Sequence, residues 1–200
     1  MIEDLPPESW PVTGTEQKFS NWLITVRNDT VRMPDNRQAE RTVVTHVGAV
    51  AILALDERDR VLMIRQYRHP VARQLWEIPA GLRDVAGEAL VDTARRELLE
   101  ETGHAASQWH VLVDSYASPG ITSERIRIFL ARGLAVAESD YVREGEEKFL
   151  RTAWVPLAEA VEAALAGRLH NGATIQGVLA AHIARSAGFS GLRPAGAPEE

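Results

Sequence analysis

The sequence predicts a sandwich of sheet and helices, α/β or α+β in class, and two observations carry that prediction. Runs with strand character and runs with helical periodicity intermingle along the 200 residues, as in a sheet covered by helices. Hydrophobic residues make up 45% of the chain and charged residues 25%, which supplies one ordinary core and a polar surface.

Each element has its own signal. Residues 1–17 are Pro-rich and acidic and are expected to be loosely ordered. "NWLITVRNDTV" (21–31) predicts a short hairpin turning at Asn28-Asp29. "RTVVTHVGAVAILALD" (41–56) is a long β-branched run, and "RVLMIRQYR" (60–68) follows a charged turn. "QLWEIPAG" (74–81) predicts a strand ending at a glycine, and residues 88–102 predict a helix. Residues 109–118 and 125–134 predict two strands flanking "PGITSE", and residues 148–157 one more. Residues 157–168 and 174–185 have helical periodicity, the second run preceded by Asn171-Gly172. From Ser186 onward the composition is that of a disordered tail. No internal repeat is present.

Bulk properties exclude several function classes. The net charge of −6 disfavours wrapping around nucleic acid or lying on anionic lipid. There are no cysteines, hence no disulfide and no thiolate metal site. No apolar run approaches the roughly 20 residues a membrane span needs, and the first residues lack a signal peptide's basic and apolar regions. The expectation is a cytoplasmic protein without a membrane or nucleic-acid partner.

The helix over 88–102 poses an electrostatic problem. At about 100° per residue, Glu97, Glu100 and Glu101 fall within one arc roughly 100° wide. Leu90, Val91, Ala94 and Leu98 occupy the neighbouring arc, which is expected to face the core. Like charges at these spacings cost about a few tenths of a kcal/mol each when exposed, and partial burial raises the cost. A hard divalent cation, Mg²⁺ or Mn²⁺, would compensate it. So would a solvated face neutralised by Arg95 and Arg96, and the helix alone does not choose between the two.

The residues around the helix resemble the Nudix hydrolase family, whose box reads G-x5-E-x7-R-E-U-x-E-E-x-G-U with U bulky and apolar. Glu88, Arg96, Glu97, Leu98, Glu100, Glu101 and Gly103 match it in register. There are two departures. Six residues, not five, separate Gly81 from Glu88, and His104 replaces the final aliphatic residue. The resemblance implies a Nudix-type α/β/α sandwich with a mixed central sheet and a small N-terminal antiparallel sheet. It also implies Mg²⁺ or Mn²⁺ dependence and hydrolysis of a diphosphate. Glu97 and Glu101 would be the principal metal ligands, Glu100 a shared or second-ion ligand, and the Ala80 carbonyl a further one. Arg96 would orient the carboxylates and Glu88 brace the helix.

Outside the box, "QYRHPVARQLWEIPAG" and Pro119, sixteen residues beyond Gly103, resemble the ADP-ribose pyrophosphatase branch, actinobacterial members above all. That branch implies cleavage of ADP-ribose to AMP and ribose 5-phosphate by a homodimer that exchanges its N-terminal sheet. Residues 1–46 would form the extension, 47–185 the hydrolase domain and 186–200 the tail. A general base would come from the loop "REGEEKFL", where Glu144, Glu146 and Glu147 stand, Glu147 before Glu146 in preference. Arg68, with Arg65 nearby, is a candidate for binding phosphate or ribose. Glu77 is a candidate for hydrogen-bonding ligand or metal water, Trp22 for stacking on adenine across a dimer interface, and Pro119 for a substrate loop. Each of these side chains also has a plain role in strand or packing. Two alternatives stay open: other nucleoside diphosphate sugars or oxidised nucleoside triphosphates as substrates, and a non-catalytic ADP-ribose sensor.

Overall fold

The structure, a computed structural model, describes residues 2–4, 8–138, 141–142 and 145–199, with Glu146 and Glu147 described by backbone only. The chain divides into two compact units, Met1–Val47 with Ser118–Glu124, and Gly48–Ala117 with Arg125–Glu200. The division therefore falls after Val47, and the first unit takes in a loop that the sequence assigns to the hydrolase domain.

The first unit is an antiparallel meander of β1 (Val12–Ser20), β2 (Ile24–Arg32) and β3 (Gln38–His46). The expected hairpin over 21–31 is not present, because Asn28 and Asp29 lie mid-strand in β2. Asp29 is buried there and accepts from Thr15 Oγ1 (2.9 Å) and Arg27 Nε (3.0 Å), so a turn-forming side chain is satisfied inside the sheet. The turns lie on either side. Asn21 Oδ1 accepts from the Leu23 and Ile24 N–H groups, and Met33 and Arg37 close the second turn. The loop Ser118–Glu124 is held onto β3, with Val44 N–H donating to Ile121 O and Ser123 N–H to Val44 O.

The second unit contains β4 (Ala49–Ala54), β5 (Arg60–Arg68), β6 (Arg73–Glu77), β7 (Ala80–Leu82), α1 (Leu90–Thr102) and β8 (His104–Tyr116). After these come β9 (Arg125–Val136), β10 (Arg151–Pro156), α2 (Leu157–Leu165), α3 (Gly172–Ser186) and the two-residue β11 (Arg193–Pro194). One sheet has the order β11-β8-β9-β4-β7 and is mixed, since β4 runs parallel to β9 and antiparallel to β7. A second has the order β10-β5-β6.

Two faces of β4 explain the layering. Val50, Ile52 and Ala54 point into a core with Ala94 and Leu98 of α1, while Ala51 and Leu53 join Val178 and Ala181 of α3 on the other side. A strand buried on both faces needs the near-continuous apolar run found here, and each fully buried Leu or Ile contributes about 1.5–3 kcal/mol. This is the expected α/β/α sandwich with a mixed central sheet. No helix among the described residues is long and apolar enough to cross a membrane.

Two longer predicted strands are broken for identifiable reasons. The run 41–56 is split between β3 and β4 at Val47-Gly48, where the two units meet in sequence. The run 74–81 breaks at Ile78-Pro79, where Pro79 has no N–H for a ladder. There the Ile78 N–H donates instead to the Thr174 hydroxyl (3.0 Å), which is fully buried at the start of α3. Asn171 caps that helix, accepting from Thr174 N–H and Oγ1, both at 2.9 Å.

The tail also departs from expectation. Residues 186–200 were expected to be disordered, yet Arg193 and Pro194 pair with Val111 and His110 of β8, and Ala195 and Ala197 pack against the core beneath α1. A small patch of apolar surface and one strand edge give this segment a docking place.

Replacing Thr174 with Val keeps the shape but leaves the buried Ile78 N–H without an acceptor. We expect a loss of about 1–3 kcal/mol in urea unfolding, and a change below about 0.5 kcal/mol would show that this bond does not hold the β6–β7 bend.

Candidate active site

α1 begins at Leu90 with no side-chain cap and ends at Gly103, whose φ of 69° suits a residue without Cβ and whose N–H bonds Leu99 O. Thr93, Ala94, Leu98 and Glu101 form its buried stripe. Glu101 is only 7% exposed, and its Oε2 accepts the Ala80 N–H at 2.9 Å. One carboxylate of the acidic arc is thereby fixed to the first residue of β7.

Arg96 organises the others. Its Nη1 lies 2.6 Å from Glu97 Oε1 and 3.5 Å from Glu100 Oε2. Its Nε and Nη2 reach Glu88 at 3.3 and 3.1 Å, and Nη2 also faces Asp84 Oδ1 at 3.4 Å. Glu88 in turn accepts from Thr93 Oγ1 at 2.9 Å. Hydrogen bonds from Arg96 and then Thr93 hold the Glu88 carboxyl below its ordinary range. Glu97 behaves oppositely. Burial is the largest influence and pushes its carboxyl up to about 7, with Glu100 and Asp84 adding repulsion that Arg96 only partly offsets.

Gly81 sets the depth of this arrangement. A Cβ on Gly81 would fall inside the Glu97 side chain, on its Cγ, Cδ and Oε1. The β7 backbone thus approaches Glu97 so closely that any Cβ at position 81 would displace the Glu97 side chain.

This set of groups fits a hard divalent cation. The donors are carboxylate oxygens, and one guanidinium faces Glu88, Glu97, Glu100 and Asp84 together. A cation beside Glu97 would favour its charged form against the burial that raises its carboxyl. Among the described residues no three acidic or imidazole groups are gathered around one point. Arg96 draws Glu97 and Glu100 toward itself, while Ala80 N–H holds Glu101.

The remaining candidates lie in several places. Glu77 is 1% exposed and faces the same side of its sheet as Arg68. Arg68 Nε and Nη2 donate to its two oxygens at 3.0 and 2.7 Å, and Gln66 Nε2 adds 3.3 Å. Glu77 thus meets Arg68 directly, a pairing that strand alternation alone does not disclose. Arg65 is on the opposite face, its guanidinium 5.4 Å from the Trp76 ring centre, and its buried Nε finds no acceptor among the described residues. With Gln66, Tyr67, Gln74 and Phe149 it lines a cleft of about 270 Å³. Of these, Gln66, Gln74, Tyr67 and Phe149 were not singled out in the sequence, although "RQYR" places three of the lining positions in one strand.

Trp22 is 73% exposed, in the β1–β2 turn of the first unit, and Pro119 is exposed in the loop attached to β3. Glu146 and Glu147 lie in a one-turn 3₁₀ helix, Gly145–Phe149, and their side chains are outside the described residues, as is the whole of Glu144. Asp84 reaches Arg96 as well, and its only signal in the sequence is an acid in the loop after Gly81.

The mixed sandwich and the glutamate helix seated on a glycine turn together have the oxygen-donor chemistry suited to a cation-assisted phosphate site. Comparison with known proteins makes the class specific. The NUDIX domain profile matches residues 45–176, and the chain belongs to the Nudix hydrolase family. It is 46% identical over 181 residues to an ADP-ribose pyrophosphatase of Mycobacterium tuberculosis, covering 90% of this chain and 86% of that one. It is 37% identical to an ADP-ribose pyrophosphatase of Bacillus subtilis, covering 74% and 78%. A crystal structure of an ADP compounds hydrolase shares the fold with a TM-score of 0.77 at 18% identity, over 92% of this chain and 99% of that one.

Gly81→Ala tests the close approach. The clash falls on a flexible side chain, so the thermal midpoint should move by less than about 4 °C. Mn²⁺ affinity, read by electron paramagnetic resonance, should fall about 10-fold. Unchanged affinity would sink the role given to this contact.

Proposed function

We propose that the protein hydrolyses the diphosphate bond of ADP-ribose to AMP and ribose 5-phosphate, with Mg²⁺ or Mn²⁺. The observation that carries this reading is the acidic arc of α1 pressed against Gly81, with the Arg96 guanidinium set among its carboxylates. Relatives named ADP-ribose pyrophosphatase support the choice of substrate.

Glu97, Glu101, Glu100 and the Ala80 backbone would hold the cation. When bound, it would neutralise diphosphate charge and lower the pKa of an attacking water. The chain's own residues supply the rest. Arg96, braced by Glu88, restrains Glu97 and Glu100 near the helix surface where they could turn to a cation. Arg68, fixed by Glu77, presents a guanidinium suited to phosphate oxygens. A loop glutamate, Glu147 or Glu146, takes the proton of the attacking water as it forms a bond to phosphorus. The bridging P–O bond breaks, and the departing phosphate carries the negative charge.

A panel of nucleoside diphosphate derivatives with Mg²⁺ tests this. ADP-ribose should be among the best substrates, and Glu101→Gln should abolish most turnover; full activity in that variant would remove Glu101 from the site. Separate substitutions of Glu147 and Glu146 should lower kcat by about 10²-fold for the true base. Losses of only a few-fold in both would rule the loop out.

A homodimer joined through the first unit fits the same reading. β1 is exposed along its whole length, and Val12, Phe19, Trp10 and Trp22 present apolar surface there. Trp22 and Pro119 would then meet substrate from this unit. Light scattering at micromolar concentration should give twice the chain mass, and a monomer would refute the dimer.

A further inference from the structure

After α3 the chain crosses back over the second unit as a strap, and its path is set by one buried guanidinium. Arg127 of β9 is 2% exposed. Its Nε and Nη2 fork onto the cross-strand Asp114 at 2.7 and 2.8 Å. The other donors go to the strap: Nη1 to Ala197 O at 2.6 Å and Nη2 to Pro198 O at 2.9 Å. Arg193 joins from the strap itself, donating to Asp114 Oδ2 at 2.8 Å. A buried guanidinium is tolerable only when neutralised and hydrogen-bonded, so Arg127 ties the strap at two consecutive carbonyls.

The next residue is Glu199, and it does not turn to solvent. Its carboxylate meets Arg83 Nη1 at 3.0 and 3.2 Å. Arg83 belongs to the six-residue stretch between Gly81 and Glu88, and its own N–H bonds Gly48 O. The residue after it, Asp84, faces Arg96. Covering the β8 edge and the apolar patch requires only Arg193–Ala197. Neither requires a carboxylate at the far end, two residues beyond Ala197, aimed at the turn that carries Gly81.

We propose that the strap positions this turn, with Glu199 and Arg83 as positioning residues that hold Gly81 against Glu97 for cation binding. The proposal rests on the cation site described above. In it, Arg127 is the anchor, Glu199 the arm and Arg83 the handle on the loop. The longer loop of this chain, one residue more than the family pattern, then has a fixed shape because a second segment grips it.

The test uses the full-length chain and Mn²⁺ alone, titrated by electron paramagnetic resonance, beside the Mn²⁺ dependence of turnover. Glu199→Gln and Arg83→Gln should each weaken Mn²⁺ binding about 3- to 10-fold, short of the 10- to 100-fold expected of a group bonded directly to a ligand. The substrate KM at saturating Mn²⁺ should not change. Thermal midpoints should stay within a few degrees, since a partly exposed pair contributes little to folding. The double variant Arg83→Glu with Glu199→Arg should return Mn²⁺ affinity to within about two-fold of the original. Unchanged affinity in both single variants, or no recovery in the double variant, would overturn the strap's role. Glu101→Gln separates the two readings. If it weakens Mn²⁺ binding while the strap variants do not, the cation site stands and the strap proposal fails. If Glu101→Gln binds Mn²⁺ like the original chain, the cation site fails first and takes the strap proposal with it.

Discussion

The close approach of the Gly81 backbone to Glu97 is the constraint on which the site depends. It forces one carboxylate of α1 into a place with little solvent, where burial outweighs the neighbouring Arg96 and lifts the carboxyl to about 7. A fold gains nothing from an acid held at that cost, since an apolar residue at the same spot would bury more favourably. Arg96 reduces the cost without removing it, because the same guanidinium also serves Glu88, Glu100 and Asp84. Five charged side chains thus share one small region, with Glu97 the one whose carboxyl burial raises most.

Such an arrangement needs a rigid seat. β4 is buried on both faces and pairs with β7 on one side and β9 on the other, so the strand beside Gly81 has no freedom to drift. Glu101 adds a direct tie from helix to strand through Ala80 N–H. On the neighbouring sheet the same logic recurs with opposite charges, where buried Glu77 holds Arg68 in one orientation. In both places the less exposed carboxylate is paired with a more exposed guanidinium, Glu97 with Arg96 and Glu77 with Arg68. Breaking either pair would strand a buried charge, a larger loss than the pair itself contributes.

What the sequence disclosed follows from which signals are local. The apolar run within 60–68 coincides with β5, and the periodicity over 88–102 finds α1 within two residues, because both patterns are set by neighbours in the chain. The acids of α1 and the bounding Gly81 and Gly103 were legible for the same reason. Asn28-Asp29 misled because turn chemistry is only a local preference, and Thr15 and Arg27 satisfy Asp29 within the sheet. The breaks at Val47 and Ile78 depend on distant partners. Pairs such as Glu77 with Arg68 need the strand register, which periodicity does not supply. The tail was the largest departure: its composition is that of disorder, and its docking depends on Arg127 and Asp114, which lie in strands far back in the chain.

Those distant contacts share a destination. Thr174 holds the Ile78 N–H from 96 residues away, and Glu199 reaches Arg83 from 116 residues away. Between them lies the short segment 79–82 that presents Ala80 and Gly81. β4 holds Ala80–Leu82 in register, Ile52 N–H donates to Pro79 O and Arg83 N–H to Gly48 O, while Pro79 itself offers no N–H to a ladder. The distant ties add to that ladder at both ends of the segment, and a site of fixed donors gains from each added restraint. α3 supplies one tie through a buried hydroxyl, and the strap supplies the other through a buried guanidinium and the arm beyond it. The position of the site is thus written in residues that never touch it, at opposite ends of the segment they restrain.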